Sequence, residues 1–352
     1  MTTDILSSAF LFEAILVSLA LAMLSCWIGI HLAVRWGMID QPGSAPHKQH
    51  ISPTPLAGGL ALFAAVILST LFAGLLDLPE VWGTFLAGSV VFAFGIWDDV
   101  KSIPPLAKLI GQLIAAIILI RLGIYIRIFE SPEFFLYLNS PIDIYLDWLL
   151  TIFWMVGITN AFNFVDSMDG LAVGLGGTAA SFFMLVTLDA RQFTLSAFSA
   201  VIIGIFVGLY FFNSPPARLF LGDSGAQTLG FILAVLAITY RPLGANQSSS
   251  YVVPIMILGV PIFDMVLVVV SRLRRKKPVY TAARDHSYHR LLNLGFGPTR
   301  AVLIMQVTSL TLGCLAVVVL NQPPLITNIV FIIVVLLSLF ALLLFDSKQT
   351  RS

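Results

Sequence analysis

The sequence predicts an all-α fold, a polytopic integral membrane bundle forming a single domain over residues 1–352. Three observations carry that expectation. Hydrophobic residues make up 58% of the chain and charged residues 11%, with a mean hydropathy of +0.97, whereas soluble domains carry about 25% charged residues. The apolar residues number about 204, enough for about ten spans at roughly 20 residues each. They lie in continuous runs instead of the alternation of an outer-membrane barrel, and within lipid a helix satisfies its own backbone.

A soluble enzyme, a disordered chain and a disulfide scaffold are thereby excluded. Cys26 and Cys314 are isolated inside apolar runs and make no framework. The net charge of +1 offers no electrostatic case for nucleic acid.

The first apolar run, near 9–34, is too long for a signal h-region, and Asp4 but no basic residue precedes it, so it reads as a span. Breaks at Pro, Gly and charge clusters place the others near 56–76, 81–97, 106–124, 148–165, 170–188, 194–212, 226–240, 251–271, 300–320 and 325–345. That makes about eleven spans, the third of them short. The longest polar insertion is a cytoplasmic loop at about 272–299. With the N-terminus outside, 15 of the 19 Lys and Arg residues fall inside, so the C-terminus is cytoplasmic. Asp77, Glu80, Glu130, Glu133, Asp143, Asp147 and Asp189 then lie on outer loops and read as unremarkable. Asp40, Asp98, Asp99, Asp166, Asp169, Asp223, Asp264, Asp285 and Asp346 lie on the inner side, several where a span meets the cytoplasm.

Five clusters on that inner face could carry chemistry. Asp98-Asp99 ends the third span, with Lys101 following and Lys108 opening the fourth. Adjacent carboxylates repel unless a cation or proton separates them, although either could simply cap the next helix. Asn160, Asn163, Asp166 and Asp169 recur every three residues ahead of Gly170. On a helix that spacing makes one oxygen-rich stripe, suited to a hard cation or a hydrogen-bonded ligand, or to a plain polar helix end. The segment Asn213-Ser-Pro-Pro-Ala-Arg-Leu-Phe220-Leu-Gly222-Asp223-Ser224-Gly225 sets Asp223 among glycines, which allow close backbone approach to a ligand; Asp223-Ser224 could equally cap the eighth span. In the basic loop, Arg272, Arg274, Arg275, Lys276 and Lys277 read first as anionic-lipid contacts. His286 and His289 have a spacing zinc could use, but no third soft ligand lies near them in sequence, and with Arg290 they suit a phosphate or sugar better. The first inner loop, Asp40 to Gly59 with His47, Lys48 and His50, is punctuated by Pro and Gly and decides nothing alone. Carboxylates, amides, cations and histidines converging on one membrane face fit a metal-assisted reaction on a phosphorylated substrate.

These clusters, in this order, resemble the motifs of the polyprenyl-phosphate N-acetylhexosamine-1-phosphate transferases over nearly the whole chain. Asp98-Asp99 followed by Lys108 is similar to that family's aspartate pair; Asn160 to Gly170 to its Asn-Ala-x-Asn-x-x-Asp-Gly-x-Asp-Gly segment; Asn213 to Gly225 to its Asn-x-x-Pro-Ala-x-x-Phe-Met-Gly-Asp-x-Gly segment; Asp285 to Leu291 to its histidine motif. Ser167 stands where the family has glycine, His47 and Leu56 where basic residues are usual, and Tyr288 where the histidine motif has its middle histidine. The span count and the lack of three consecutive histidines resemble the GlcNAc-1-phosphate branch more than the muramoyl-pentapeptide branch.

The resemblance implies transfer of N-acetylhexosamine 1-phosphate, GlcNAc-1-phosphate first, from a UDP-N-acetylhexosamine to undecaprenyl phosphate, with release of UMP, in a bacterial cytoplasmic membrane with the site facing inward. It implies Asp98, Asp99 and Lys108 as catalytic, and Asp223 and Asn163 as ligands of Mg²⁺, for which Mn²⁺ could substitute. Asp166, Asp169, Asn213 and Phe220 would meet the nucleotide, His286, His289 and Arg290 the sugar or phosphate, and Lys48 and Lys101 the lipid phosphate. Membrane lipids are expected partners, nucleic acid is not, and a homodimer is left open. A phospho-N-acetylmuramoyl-pentapeptide transferase is the nearest alternative. An ion-coupled transporter is a second, disfavoured because the acids gather at one face instead of the midplane and no inverted repeat is visible.

Overall fold

The computed structural model describes residues 8–42, 52–130, 141–242, 249–278 and 285–349. The chain is a polytopic helical membrane protein. Its helices are α1 (Ser8–Trp36), α2 (Gly58–Phe72), α3 (Pro79–Lys101), α4 (Pro105–Arg121), α5 (Ile142–Val165), α6 (Leu171–Asp189), α7 (Phe193–Asn213), α8 (Gly222–Thr239), α9 (Val252–Ile257), α10 (Gly259–Arg274), α11 (Ser287–Asn293), α12 (Pro298–Val318) and α13 (Pro324–Gln349). Among the described residues, eight are long and apolar enough to cross a membrane: α1, α3, α5, α6, α7, α8, α12 and α13. Helices α2 and α4 are shorter, at 15 and 17 residues. The run near 251–271 is broken at Leu258 into α9 and α10.

The bundle is built around α8. In its apolar stretch 89% of residues are buried, against 6% in α13, which lies at the periphery. Helices α2, α3, α5 and α6 pack on α8, and α1 packs on α2 and α7. In a bilayer the apolar effect does not drive helices together, so close packing of small residues must. The N-terminal half of α8, Gly222-Asp-Ser-Gly-Ala-Gln-Thr-Leu-Gly230, supplies them.

One departure from the all-α expectation lies beside this half-helix. Ile39–Asp40 (β1) and Thr54–Pro55 (β2) form an antiparallel pair. The chain before α8 then runs along β2: Phe220 N–H donates to Pro55 O at 2.9 Å, Gly58 N–H to Phe220 O at 2.9 Å and Gly59 N–H to Leu221 O at 3.0 Å. Gly58-Gly59 is therefore more than loop punctuation; it opens α2 directly against the entrance of α8. A Cβ at Gly59 would lie 1.9 Å from Ser224 Oγ, and one at Gly95 of α3 would lie 2.4 Å from Ser224 Cα.

On the opposite side, Asp147 is not unremarkable. It is fully buried and accepts the backbone N–H groups of Ile128, Phe129 and Glu130 at 2.9–3.1 Å. It thus fixes the chain after α4 on the first turns of α5.

The backbone contact at Gly95 makes a direct prediction. Gly95→Ala should destabilise the detergent-solubilised protein by about 2 kcal/mol, the usual scale of overpacking. Gly157→Ala on α5, whose added methyl meets only Met265 Cε at 3.8 Å, should be neutral. Thermal unfolding of the two variants checks both.

Candidate active site at converging helix ends

The last turns of α3 and α5 and the first turns of α4 and α8 meet at one point. Lys108 Nζ sits 2.9 Å from Asp98 Oδ2 and 3.3 Å from Asp223 Oδ1. Asn163 Nδ2 donates to the same Asp223 oxygen at 2.6 Å. Asp98 Oδ1 accepts the Ile103 N–H at 2.7 Å, which pins the α3–α4 turn and aims the other oxygen at Lys108. Asp98 is 10% exposed and Asp223 30%, so the site opens to solvent on the Asp223 side.

The aspartate pair is split by its surroundings. Asp99 turns to α8: Oδ1 accepts the Asp223 N–H at 2.7 Å, and Oδ2 accepts the Ser224 N–H at 3.2 Å and the Ser224 hydroxyl at 2.5 Å. Those donors belong to the N-terminal turn of a helix, which has no acceptors of its own. Gly222 has φ +68°, and a Cβ there would come within 2.7 Å of both Asp99 oxygens. Only glycine lets the carboxylate come so near.

The nucleotide-assigned residues separate in the same way. Asn213 is buried and commits both ends of its amide to backbone, accepting from Gly170 N–H at 3.1 Å and donating to Leu219 O at 3.1 Å. Asp169 accepts the Ala217 N–H at 3.0 Å. Together they join the α5–α6 turn to the α7–α8 loop. Phe220 is half-buried, its backbone held by β2. The Asp166 side chain, among the described residues, has no hydrogen bond or ion pair; burial and the nearby charges of Asp223, Asp99 and Asp169 push its carboxyl up to about 8.

Lys108 is the one ammonium bonded to this carboxylate cluster among the described residues. Excess negative charge of this kind calls for cations or protons. Among the described residues no three His, Cys, Asp or Glu side chains already converge on a metal position. Asp223, 30% exposed and beside the amide of Asn163, would offer Mg²⁺ a hard-oxygen anchor, because that ion takes few protein ligands and completes its shell with water and phosphate. The residues fit the ion.

The histidine segment docks beside this cluster. His286 meets the Phe164 ring edge-on at 5.9 Å, one residue beyond Asn163. Its Nδ1 lies 2.8 Å from Asp264 Oδ2, while Asp264 Oδ1 accepts the N–H and hydroxyl of Ser287, both at 2.6 Å. Tyr288 is buried, with its hydroxyl 2.9 Å from His289 Nε2. Arg290 is also buried: it donates to Asp285 O at 3.0 Å and Ser271 Oγ at 2.9 Å. Arg290 thus braces the loop, while His286 and His289 keep partial exposure. Burial pushes Asp285 upward, but Arg275 and Arg272 outweigh it and hold its carboxyl below the usual range. Asp346 of α13 accepts from Ser271 at 2.8 Å and pairs with Arg274, tying the periphery to the loop. Lys101 is exposed at the end of α3. Lys48, His47 and His50 lie outside the described residues.

Sequence reasoning assigned no role to Asp264, Gln112 or Gln227, which the structure places around the site. The signal was present: each is a polar residue inside an apolar run, and such residues in lipid usually serve a function.

Residues 81–241 match the family described as glycosyl transferase family 4. The chain is 30% identical over 335 residues to a probable undecaprenyl-phosphate N-acetylglucosaminyl 1-phosphate transferase of Bacillus subtilis (strain 168), covering 93% of this chain and 90% of that protein. It is 30% identical over 304 residues to a decaprenyl-phosphate N-acetylglucosaminephosphotransferase of Mycobacterium tuberculosis (strain ATCC 25618 / H37Rv), covering 78% and 74%. A phospho-N-acetylmuramoyl-pentapeptide-transferase of Halalkalibacterium halodurans is 28% identical over 293 residues, covering 79% and 87%.

The raised Asp166 predicts a pH signature with divalent cations chelated. Its carboxyl rises from the usual 3.8 to about 8 on folding, so the native state binds the extra proton between those values and loses stability as pH rises through them. Asp166→Asn removes that slope. The stability advantage of the variant, followed by thermal unfolding, should grow from about pH 4 to about pH 8 and stay constant above.

Proposed function

The chain belongs to glycosyl transferase family 4, the polyprenyl-phosphate N-acetylhexosamine-1-phosphate transferases, and from that membership we propose that it transfers GlcNAc-1-phosphate from UDP-GlcNAc to undecaprenyl phosphate at the inner face of a bacterial cytoplasmic membrane. The observation that carries this reading is the ammonium of Lys108 held between Asp98 and Asp223, the three side chains coming from three different helices. Such a cation can neutralise a pyrophosphate while the surrounding carboxylates keep the remaining geometry fixed.

An oxygen of the lipid phosphate attacks the β-phosphorus of the UDP-sugar. The new P–O bond forms as the α–β anhydride breaks, and UMP departs with the electron pair. Phosphoryl transfer asks the protein for positioning and charge neutralisation more than for covalent chemistry. Lys108 meets the pyrophosphate. Asp98, with one oxygen left for Lys108, stands where the lipid phosphate arrives, and Lys101 supports its approach. Asp223 and Asn163 would hold Mg²⁺, which when bound supplies charge neutralisation at the phosphates. Asp99 and Asn213 act through the backbone they hold. Asp169 and Phe220 serve the uracil, and His286 and His289 the N-acetylhexosamine. With eleven crossings, the ninth formed by α9 and α10 together, the excess of Lys and Arg on the inner loops supports a topology with the N-terminus outside and these groups on the cytoplasmic side.

Two measurements test this. Purified protein given UDP-GlcNAc, undecaprenyl phosphate and Mg²⁺ should release UMP, and Asp223→Ala should lower that rate by about a hundredfold or more, as loss of a main electrostatic group does. In a panel of UDP-sugars at equal concentration UDP-GlcNAc should be the best donor; preference for UDP-MurNAc-pentapeptide would move the chain to the muramoyl branch.

A further inference from the structure

One turn deeper than Lys108 on α4 lies Gln112, 2% exposed. A primary amide buried in a bundle is costly unless all its ends are bonded, and Gln112 is fully engaged. Its Oε1 accepts from Asn160 Nδ2 of α5 at 2.7 Å, and its Nε2 donates to Gln227 Oε1 of α8 at 3.0 Å. Asn160 Nδ2 donates in addition to Val156 O at 2.8 Å. Gln227, itself 1% exposed, donates from Nε2 to Asp223 Oδ1 at 3.4 Å.

The chain of amides has a direction. Val156 O turns the Asn160 NH₂ toward Gln112 Oε1; Gln112 Nε2 donates to Gln227 Oε1 and, at 3.4 Å, back to Asn160 Oδ1; and Gln227 Nε2 ends on the Asp223 carboxylate. An amide has one accepting and one donating end. With Gln112 occupying Gln227 Oε1, only the NH₂ is left to face Asp223. We infer that Gln112 is a positioning residue: it sets which end of the Gln227 amide meets Asp223, and through it the orientation of that carboxylate between Lys108 and Asn163. Without Gln112, Gln227 Oε1 is a buried acceptor with no donor. The Gln227 side chain is then no longer held with its NH₂ on Asp223, and the carboxylate loses a donor that fixes its place. Bonds in such a chain polarise one another, so the end group feels a change two residues away.

The inference rests on the reading of Asp223 as the anchor of the divalent cation, and its test separates the two. Mn²⁺ binding to the substrate-free protein, read by electron paramagnetic resonance, is compared for the natural protein, Gln112→Met, Gln227→Met and the double variant. Each single variant should bind Mn²⁺ about tenfold more weakly, the usual effect of losing a group that orients a ligand. In turnover, kcat should fall about tenfold while KM for both substrates moves less than about twofold. The double variant should lose no more than either single one, because both break the same chain. Unchanged Mn²⁺ affinity in a Gln112→Met protein that melts normally, or losses that add in the double variant, would overturn the inference. If Gln112→Met does not fold, Gln227→Met carries the same comparison from the other end. A natural protein that binds Mn²⁺ but releases no UMP would remove the transferase reading and leave the relay standing; one that binds no Mn²⁺ would remove the relay.

Discussion

The site depends on a helix that starts inside the protein. The first N–H groups of α8 have no partners of their own, and a membrane bundle cannot leave them bare. Asp99 answers that need from α3, with both oxygens on the Asp223 and Ser224 turn. The cap fixes where α8 begins and hence where Asp223 stands. It also requires α2, α3 and the α7–α8 loop to approach at backbone distance, which Gly59, Gly95 and Gly222 permit. A negative side chain at a helix N-terminus is favourable in its own right, so the interaction that holds the architecture also assembles the charges.

The same economy runs through the other motifs. Asn213 and Asp169 spend hydrogen bonds on backbone to fasten two loops, and Asp264 and Arg290 fasten a third. The partly exposed members include Lys108 between Asp98 and Asp223, Asp169 and Phe220, and His286 with His289. A motif in this chain is therefore mostly scaffold with a few exposed members. A buried, fully bonded polar group is costly to disturb, whereas partly exposed groups stay within reach of a charged ligand.

Much of this was legible in the sequence. Periods of apolar residues and their Pro and Gly breaks located the helices, and the three-residue spacing from Asn160 to Asp169 pointed to the oxygen-bearing residues, although α5 ends at Val165 and leaves Asp166 and Asp169 in the turn beyond the expected helical stripe. The division of labour within each motif was not legible. Asp98 and Asp99 are chemically identical neighbours, and only the position of α8, remote in sequence, makes one a cap. The Ile39–Asp40 pairing with Thr54–Pro55 was hidden because strands of two residues leave no period to read. Gln112, Gln227 and Asp264 are polar residues in apolar runs, but single residues do not reveal which partners they meet across the bundle. Asp147 was passed over because its partners are backbone N–H groups, which no sequence pattern shows.

The central claim is that Asp99 holds the fold of the site while its neighbour Asp98 serves the chemistry. Thermal unfolding of the substrate-free protein, measured for Asp99→Asn beside Asp98→Asn, tests it most directly. An isosteric amide at 99 keeps the shape but puts an NH₂ against the α8 N–H groups, so Tm should fall by about 2 °C or more, the scale expected when a helix cap worth about a kilocalorie or more is lost. Asp98→Asn keeps an oxygen for the Ile103 N–H and should lose less Tm than Asp99→Asn, and yet release UMP far more slowly. The opposite pattern, an Asp99→Asn protein as stable as the natural one beside an Asp98→Asn protein that unfolds early, would contradict the account.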